Sequence, residues 1–180
     1  LAGLLDGRSA DPAAARKLLA CDAHRNLARR VAAESIVLLA NRDGFLPLSP
    51  GIRSVAVVGP NADVAQLGDY AMDTPGAVSI LAGIRAAVSS ATRVVYARGC
   101  GVHEADRSGI AAAVAAARAA DAVVLCLGEA SMTNFGVGWG DAAGRAALCG
   151  EGFDRDDIGL PGVQRELALA VIETGVPCAV

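Results

Sequence analysis

The sequence predicts an α/β fold, a mostly parallel sheet sandwiched by helices, and three observations carry that prediction. Short runs dominated by apolar residues recur at 54–58, 93–97 and 122–127, and each is followed by a glycine, Gly59, Gly99 or Gly128. Helix-period stretches of ten or more residues separate them, which is the alternation of a parallel sheet covered on both faces. The composition is 53% hydrophobic but only 3% aromatic. Ala, Val and Leu therefore fill the core, as suits helices on a doubly buried sheet. The last strand is interrupted at Val180, so the sheet is expected to be incomplete.

Residues 1–22 form a polar, alanine-rich stretch in which Asp11-Pro12 signals a helix start, with Asp as cap and Pro at the first position. A helix is expected over 23–41. Leu27, Val31, Ser35 and Leu38 recur along one face, widened by Ala28, Ala32 and Leu39, while Arg25, Arg29 and Arg30 lie off it. Asn41-Arg42-Asp43-Gly44 stops that helix, and Phe45-Leu46-Pro47-Leu48 is an extended apolar segment. Ser49-Pro50-Gly51 reads as a turn and a boundary, dividing the chain into 1–49 and 50–180.

Beyond the boundary the first strand, 54–58, ends in Gly59-Pro60-Asn61-Ala62-Asp63. A helix is expected over 79–91, with Ile80, Leu81, Ile84, Ala87 and Val88 on one face. The second strand, 93–97, runs into Gly99-Cys100-Gly101. An alanine-rich helix at 106–120 leads to the third strand, 122–127. A long loop, 129–159, carries seven of the 21 glycines and the single tryptophan. A helix over 161–173 and a fourth strand from Pro177 complete the pattern. Ligands bind beyond the carboxyl ends of such strands, which puts the Gly59–Asp63 turn, the Gly99–Gly101 turn and the long loop on one edge.

Charge and cysteine usage exclude several classes. Net charge is −3 with both signs interspersed, unlike the basic stripe of a nucleic-acid binder. No apolar run approaches the roughly 18–20 residues that span a bilayer. Neither nucleic acid nor membrane is expected as a partner. The five cysteines, Cys21, Cys100, Cys126, Cys149 and Cys178, are scattered without a CxxC, so small buried apolar residues are the expected role. His24 and His103 stand apart from any ligand pattern. The chain opens on Leu1 without a signal-peptide pattern and stops inside a strand. Both ends are expected to be cut, and the location is left open.

The candidate motifs narrow to carboxylates. Gly59-Pro60-Asn61 lacks the three spaced glycines of a dinucleotide site and the Gly-Lys-Ser/Thr of a phosphate loop, and Gly99-Cys100-Gly101 lacks a third glycine. Gly-x-Ser-x-Gly is absent, and no cysteine has a histidine partner in the pattern. The long loop holds Glu129, Asp141, Glu151, Asp154, Asp156 and Asp157. Glu151 stands out because Gly150 and Gly152 leave it unshielded and Phe153 offers apolar surroundings that raise a carboxyl pKa, as a general acid near neutral pH requires. Asp154 and Arg155 read as an internal pair that fixes the loop. A solvated surface role is the competing reading for every one of these carboxylates.

In order along the chain, Ala32–Asn41 with Leu46-Pro47-Leu48, Val55–Asp63, Leu67-Gly68-Asp69-Tyr70, Ala120–Val124 with Leu127-Gly128, and above all Gly150-Glu151-Gly152-Phe153-Asp154-Arg155 with Leu160-Pro161-Gly162-Val163-Gln164 resemble glycoside hydrolase family 3, the beta-glucosidase and beta-xylosidase group. The resemblance implies a (β/α)8-like barrel followed by a six-stranded α/β sandwich. Residues 1–22 would be the tail of the barrel region, 23–49 the joining helix and linker, and 50–180 a partial sandwich domain. It implies hydrolysis of terminal beta-linked sugars with retention, using two carboxyl groups about 5–5.5 Å apart. An Asp on the barrel, absent from this chain, would be the nucleophile. Glu151 would be the acid/base, with Glu129 as runner-up because its placement varies across the family. Trp139 and Phe135 could stack on a sugar ring, while Asp154 and Arg155 would support the loop. The substrate would be an oligosaccharide or glycoside, the missing barrel would be the partner, and no metal or cofactor is implied, since a carboxylate pair suffices. Without the barrel the segment would be inactive. A non-catalytic α/β ligand-binding module, or a structural partner module, is the alternative.

Overall fold

A computed structural model describes residues 4–7, 9–65, 67, 76–129 and 156–180. The chain forms two compact units, Leu1–Gly44 and Phe45–Val180.

The first unit holds two helices, α1 (Pro12–Leu18) and α2 (Asp22–Ser35), between single 3-10 turns at Leu4–Asp6 and Arg42–Gly44. Asp11 caps α1 as the sequence predicts, its Oδ1 accepting the Ala13 N–H at 2.9 Å, with Pro12 at the first position. The helix expected to run to Asn41 instead stops at Ser35. The Ser35 hydroxyl bonds back to the Ala32 carbonyl at 2.8 Å, a local competitor to the helical ladder. Ile36, the first of two β-branched residues, then adopts extended backbone at φ −74°, ψ 123°, as its stiff side chain allows.

The second unit is built on four parallel strands in the order β2-β1-β3-β4. These are β1 (Ser54–Val58), β2 (Arg93–Ala97), β3 (Ala122–Leu125) and β4 (Cys178–Ala179). The register pairs Val57 with Tyr96 on one side and with Val124 on the other. Helices α3 (Ile80–Ala87), α4 (Ile110–Arg118) and α5 (Gln164–Ile172) lie in the connections. Strand alternation sorts the core into two layers. Val55 and Val57 pack with Leu81 of α3 and with Ala62. Ala56 and Val58 pack with Ala113 and Ala117 of α4 and Leu167 and Val171 of α5. Residues Val55 to Val58 of the central strand are fully buried, which is why this run reads as continuously apolar. The α/β class and the mostly parallel sheet are thus as expected.

Element ends moved for identifiable reasons. The helix expected from Asp106 begins at Ile110, because Asp106 accepts the Ser108 N–H and hydroxyl, each at 2.9 Å, and spends those groups in a turn. The helix expected from Pro161 begins at Gln164, because Gly162 has φ +58°. On α3, Leu81 is buried and Ile84 packs beside it, but Ile80 of the expected apolar face is exposed.

Burial on α5 yields a direct test. Leu167 is fully buried, whereas Leu169 is 45% exposed on the same helix. In urea unfolding, Leu167→Ala should cost about 2–5 kcal/mol, and Leu169→Ala about 0.5 kcal/mol or less. Equal losses would contradict the observed helix orientation.

Candidate functional site at the carboxyl edge of the sheet

The strand order places a topological switch between β1 and β3, because the chain leaves β1 toward β2 on one side and later builds β3 and β4 on the other. In open α/β sheets, ligands bind beyond the carboxyl ends of the strands at such a point. The turn after β1 is pressed against the end of β3. Gly59 has φ +123°, and a Cβ on it would lie 2.1 Å from the Cys126 carbonyl oxygen, so only glycine fits. This close approach brings Asn61 to the exit of β3. Asn61 is nearly buried; its N–H donates to the Cys126 carbonyl and its Nδ2 to the Glu129 carbonyl, both at 3.4 Å.

The other side of this edge is held by Gln164, the first residue of α5, whose side chain is fully buried. Its Oε1 accepts the Gly128 N–H at 2.9 Å, and its Nε2 donates to the Gly128 carbonyl at 2.8 Å and to the Val102 carbonyl at 2.6 Å. One amide therefore ties the exit of β3, the loop after β2 and the start of α5. Placing the oxygen toward the N–H and the nitrogen toward two carbonyls is the only orientation of the amide that pairs all three. Gly162 lets the entry to α5 sit against the same β2 loop, where a Cβ would fall 2.8 Å from the His103 carbonyl carbon. Outside this layer, Arg107 forms a forked ion pair with Glu166 of α5, Nε to Oε2 at 2.7 Å.

Several charged side chains near the edge have partners among the described residues. Glu104 accepts the His103 N–H at 3.1 Å, and Arg98 lies 3.9 Å away. Hydrogen bonding from its own backbone amide is the main reason its carboxyl is held below the usual 4.5, against an opposing effect of burial. The Arg107 side chain likewise lowers Glu166. Burial raises the Cys100 thiol and pushes that of Cys126 up to about 11, so neither is a ready thiolate nucleophile. Among the described residues, no three His, Cys, Asp or Glu side chains gather where they could hold a metal ion, and no helix is long and apolar enough to cross a membrane.

Of the residues singled out from the sequence, Glu129 stands at the exit of β3, its backbone carbonyl on Asn61. Asp157 closes a surface turn by accepting the Gly159 N–H at 2.7 Å. Glu151, Asp154, Arg155, Trp139, Phe135 and Asp141 lie outside the described residues, as does Gly68-Asp69-Tyr70. The roles of Gln164 and the Asn61 side chain were missed by sequence reasoning. Both sat inside quoted motifs, but a polar residue beside Pro-Gly or Gly-Pro does not reveal which distant carbonyl it will meet.

A parallel sheet with helices in its connections defines a domain of the open α/β class. Its affiliation is specific: residues 36–180 match the glycosyl hydrolase family 3 C-terminal domain, and the chain belongs to that family. The resemblance drawn from its motifs is borne out. A beta-xylosidase from Formosa agariphila is 37% identical over 168 residues, 88% of this chain and 21% of that protein. A solved beta-glucosidase from Erythrobacter marinus superposes with a TM-score of 0.78 at 37% identity, over 98% of this chain and 25% of that one. A family 3 exo-beta-xylosidase solved with a xylobiose aziridine probe gives 0.69 at 34% identity, over 86% and 18%. The chain thus spans about a fifth of the length of the curated relatives it matches.

Glu104 supplies a pH test. A carboxyl lowered below 4.5 on folding adds stability above its unfolded pKa and loses it as pH falls through the folded value. Glu104→Gln should therefore lower the melting temperature most above about pH 5 and converge on the parent as pH falls through the folded carboxyl's value. A difference that grew on acidification would contradict the assignment.

Proposed function

We propose that this chain is the C-terminal α/β part of a retaining beta-glycosidase that removes terminal beta-linked sugars, and that it supplies the acid/base carboxyl, Glu151. The observation that carries the reading is family membership across residues 36–180, a span that includes the Gly150–Arg155 block. Relatives named as beta-xylosidases and beta-glucosidases support the substrate class. The described ends of the connection between β3 and α5 lie at the carboxyl edge, where open α/β sheets bind ligands.

In this mechanism Glu151, protonated, gives its proton to the leaving glycosidic oxygen while a carboxylate nucleophile attacks the anomeric carbon. The same Glu151, now ionised, takes a proton from the water that hydrolyses the glycosyl-enzyme. Glycine neighbours leave the carboxyl open to substrate, and Phe153 would favour its protonated form. Asp154 and Arg155 support the loop, and Trp139 or Phe135 offers a stacking face to the sugar. The nucleophile, an Asp, comes from a barrel elsewhere in the whole protein, so this segment by itself is inactive.

The test is made on the complete enzyme. Glu151→Ala should slow glycosides with poor leaving groups by about 10²–10⁴-fold, the usual worth of a general acid. Dinitrophenyl glycosides, which need little protonation, should lose far less in the first step, and azide should restore turnover because it attacks without a base. A silent Glu151→Ala together with this pattern in Glu129→Ala would move the role to Glu129.

A further inference from the structure

We infer that Leu27 and Val31 of α2, with the run 36–39 that follows it, form a docking surface. Its occupant is an apolar face of the same protein, from the polypeptide outside the C-terminal domain. The inference rests on family membership and stands apart from the role proposed for Glu151. No described residue of the first unit is buried. The six apolar side chains of this surface, Leu27, Val31, Ile36, Val37, Leu38 and Leu39, are between 50% and 91% exposed. Leu27 and Val31 lie four positions apart and so share one face of the helix.

Local interactions do not account for α2. Cys21 at its N-cap makes no side-chain capping hydrogen bond. Its ion pairs, Arg25 with Asp22 at 3.8 Å and Arg30 with Glu34 at 3.9 Å, are exposed, and such pairs contribute little. A helix of 14 residues is marginal in water without tertiary packing. The run beyond it demands more. The chain leaves α2 in extended backbone at Ile36, and successive side chains of an extended chain point to opposite sides. Four consecutive exposed apolar residues therefore need cover from two sides, as a buried strand does.

Two matched spans indicate what covers them. The family model begins at residue 36 and leaves α2 outside the C-terminal domain. The Erythrobacter marinus beta-glucosidase nevertheless superposes over 98% of this chain, which must include most of α2, and over only 25% of its own. The helix is thus an element of a much longer fold. Polypeptide tethered to α2 competes at high effective concentration against any separate molecule. One helix face of a second copy would cover a single side of the run.

The test compares deuterium exchange at residues 22–41 in the complete enzyme and in the chain of 180 residues. Exchange should be slower in the complete enzyme by about 100-fold or more. There, Leu27→Ala and Leu39→Ala should each speed it by about 10-fold or more. Arg29→Ala, off the apolar face, should change it by less than about 2-fold, and so should both leucine variants in the shorter chain. Equal exchange in the complete enzyme and the monomeric shorter chain would overturn the proposal, as would silent leucine variants. So would protection of the shorter chain that rises with its concentration and vanishes in Leu27→Ala, which would make a second copy the occupant. The comparison of the two unmutated proteins decides the matter even where a leucine variant fails to fold. Activity is not the readout, so failure of the acid/base reading is reported separately by Glu151→Ala.

Discussion

The buried amide of Gln164 is the constraint on which the carboxyl edge depends. A parallel sheet ends its strands in loops whose backbone groups have no ladder partner, and a buried unpaired N–H or C=O is costly. At the end of β3 that requirement falls on Gly128, and a side chain from α5 meets it with a complementary donor and acceptor. The same amide reaches the Val102 carbonyl, so three loops far apart in sequence share one anchor. Asn61 does the corresponding work for the turn after β1, against Cys126 and Glu129.

This arrangement follows from the strand order. Because β1 is central and flanked by β2 and β3, its residues are buried on both faces. The sheet is held from one side by Leu81 and from the other by Leu167 and Val171. Close backbone contact at Gly59 then presses the turn after β1 against the end of β3. Outside it, Arg107 pairs with Glu166, and Glu104 accepts the His103 N–H.

Much of this was legible in the sequence. The limits of β1 and β2 follow from apolar runs bounded by glycine. The cap at Asp11 and the helix start at Ser79 follow from side-chain oxygens placed before a helical period. Errors cluster where a short polar side chain captures local backbone: Ser35 ending α2 and Asp106 delaying α4. Such captures depend on backbone already being turned, and periodicity cannot see them. Glu129 could be placed beside the third strand from sequence, but not its carbonyl contact with Asn61, a partner 68 residues away.

By itself, the sequence determined the class of fold, the family, and which stretch carries the candidate carboxyl, because each is written in local pattern: apolar runs, helical spacing and an ordered set of motifs. Only the tertiary structure decided the strand order, the switch point between β1 and β3, and the part played by Gln164. Those depend on long-range pairing, since the partners of one amide lie 36 and 62 residues away, and no local rule chooses among the carbonyls that a glutamine could meet.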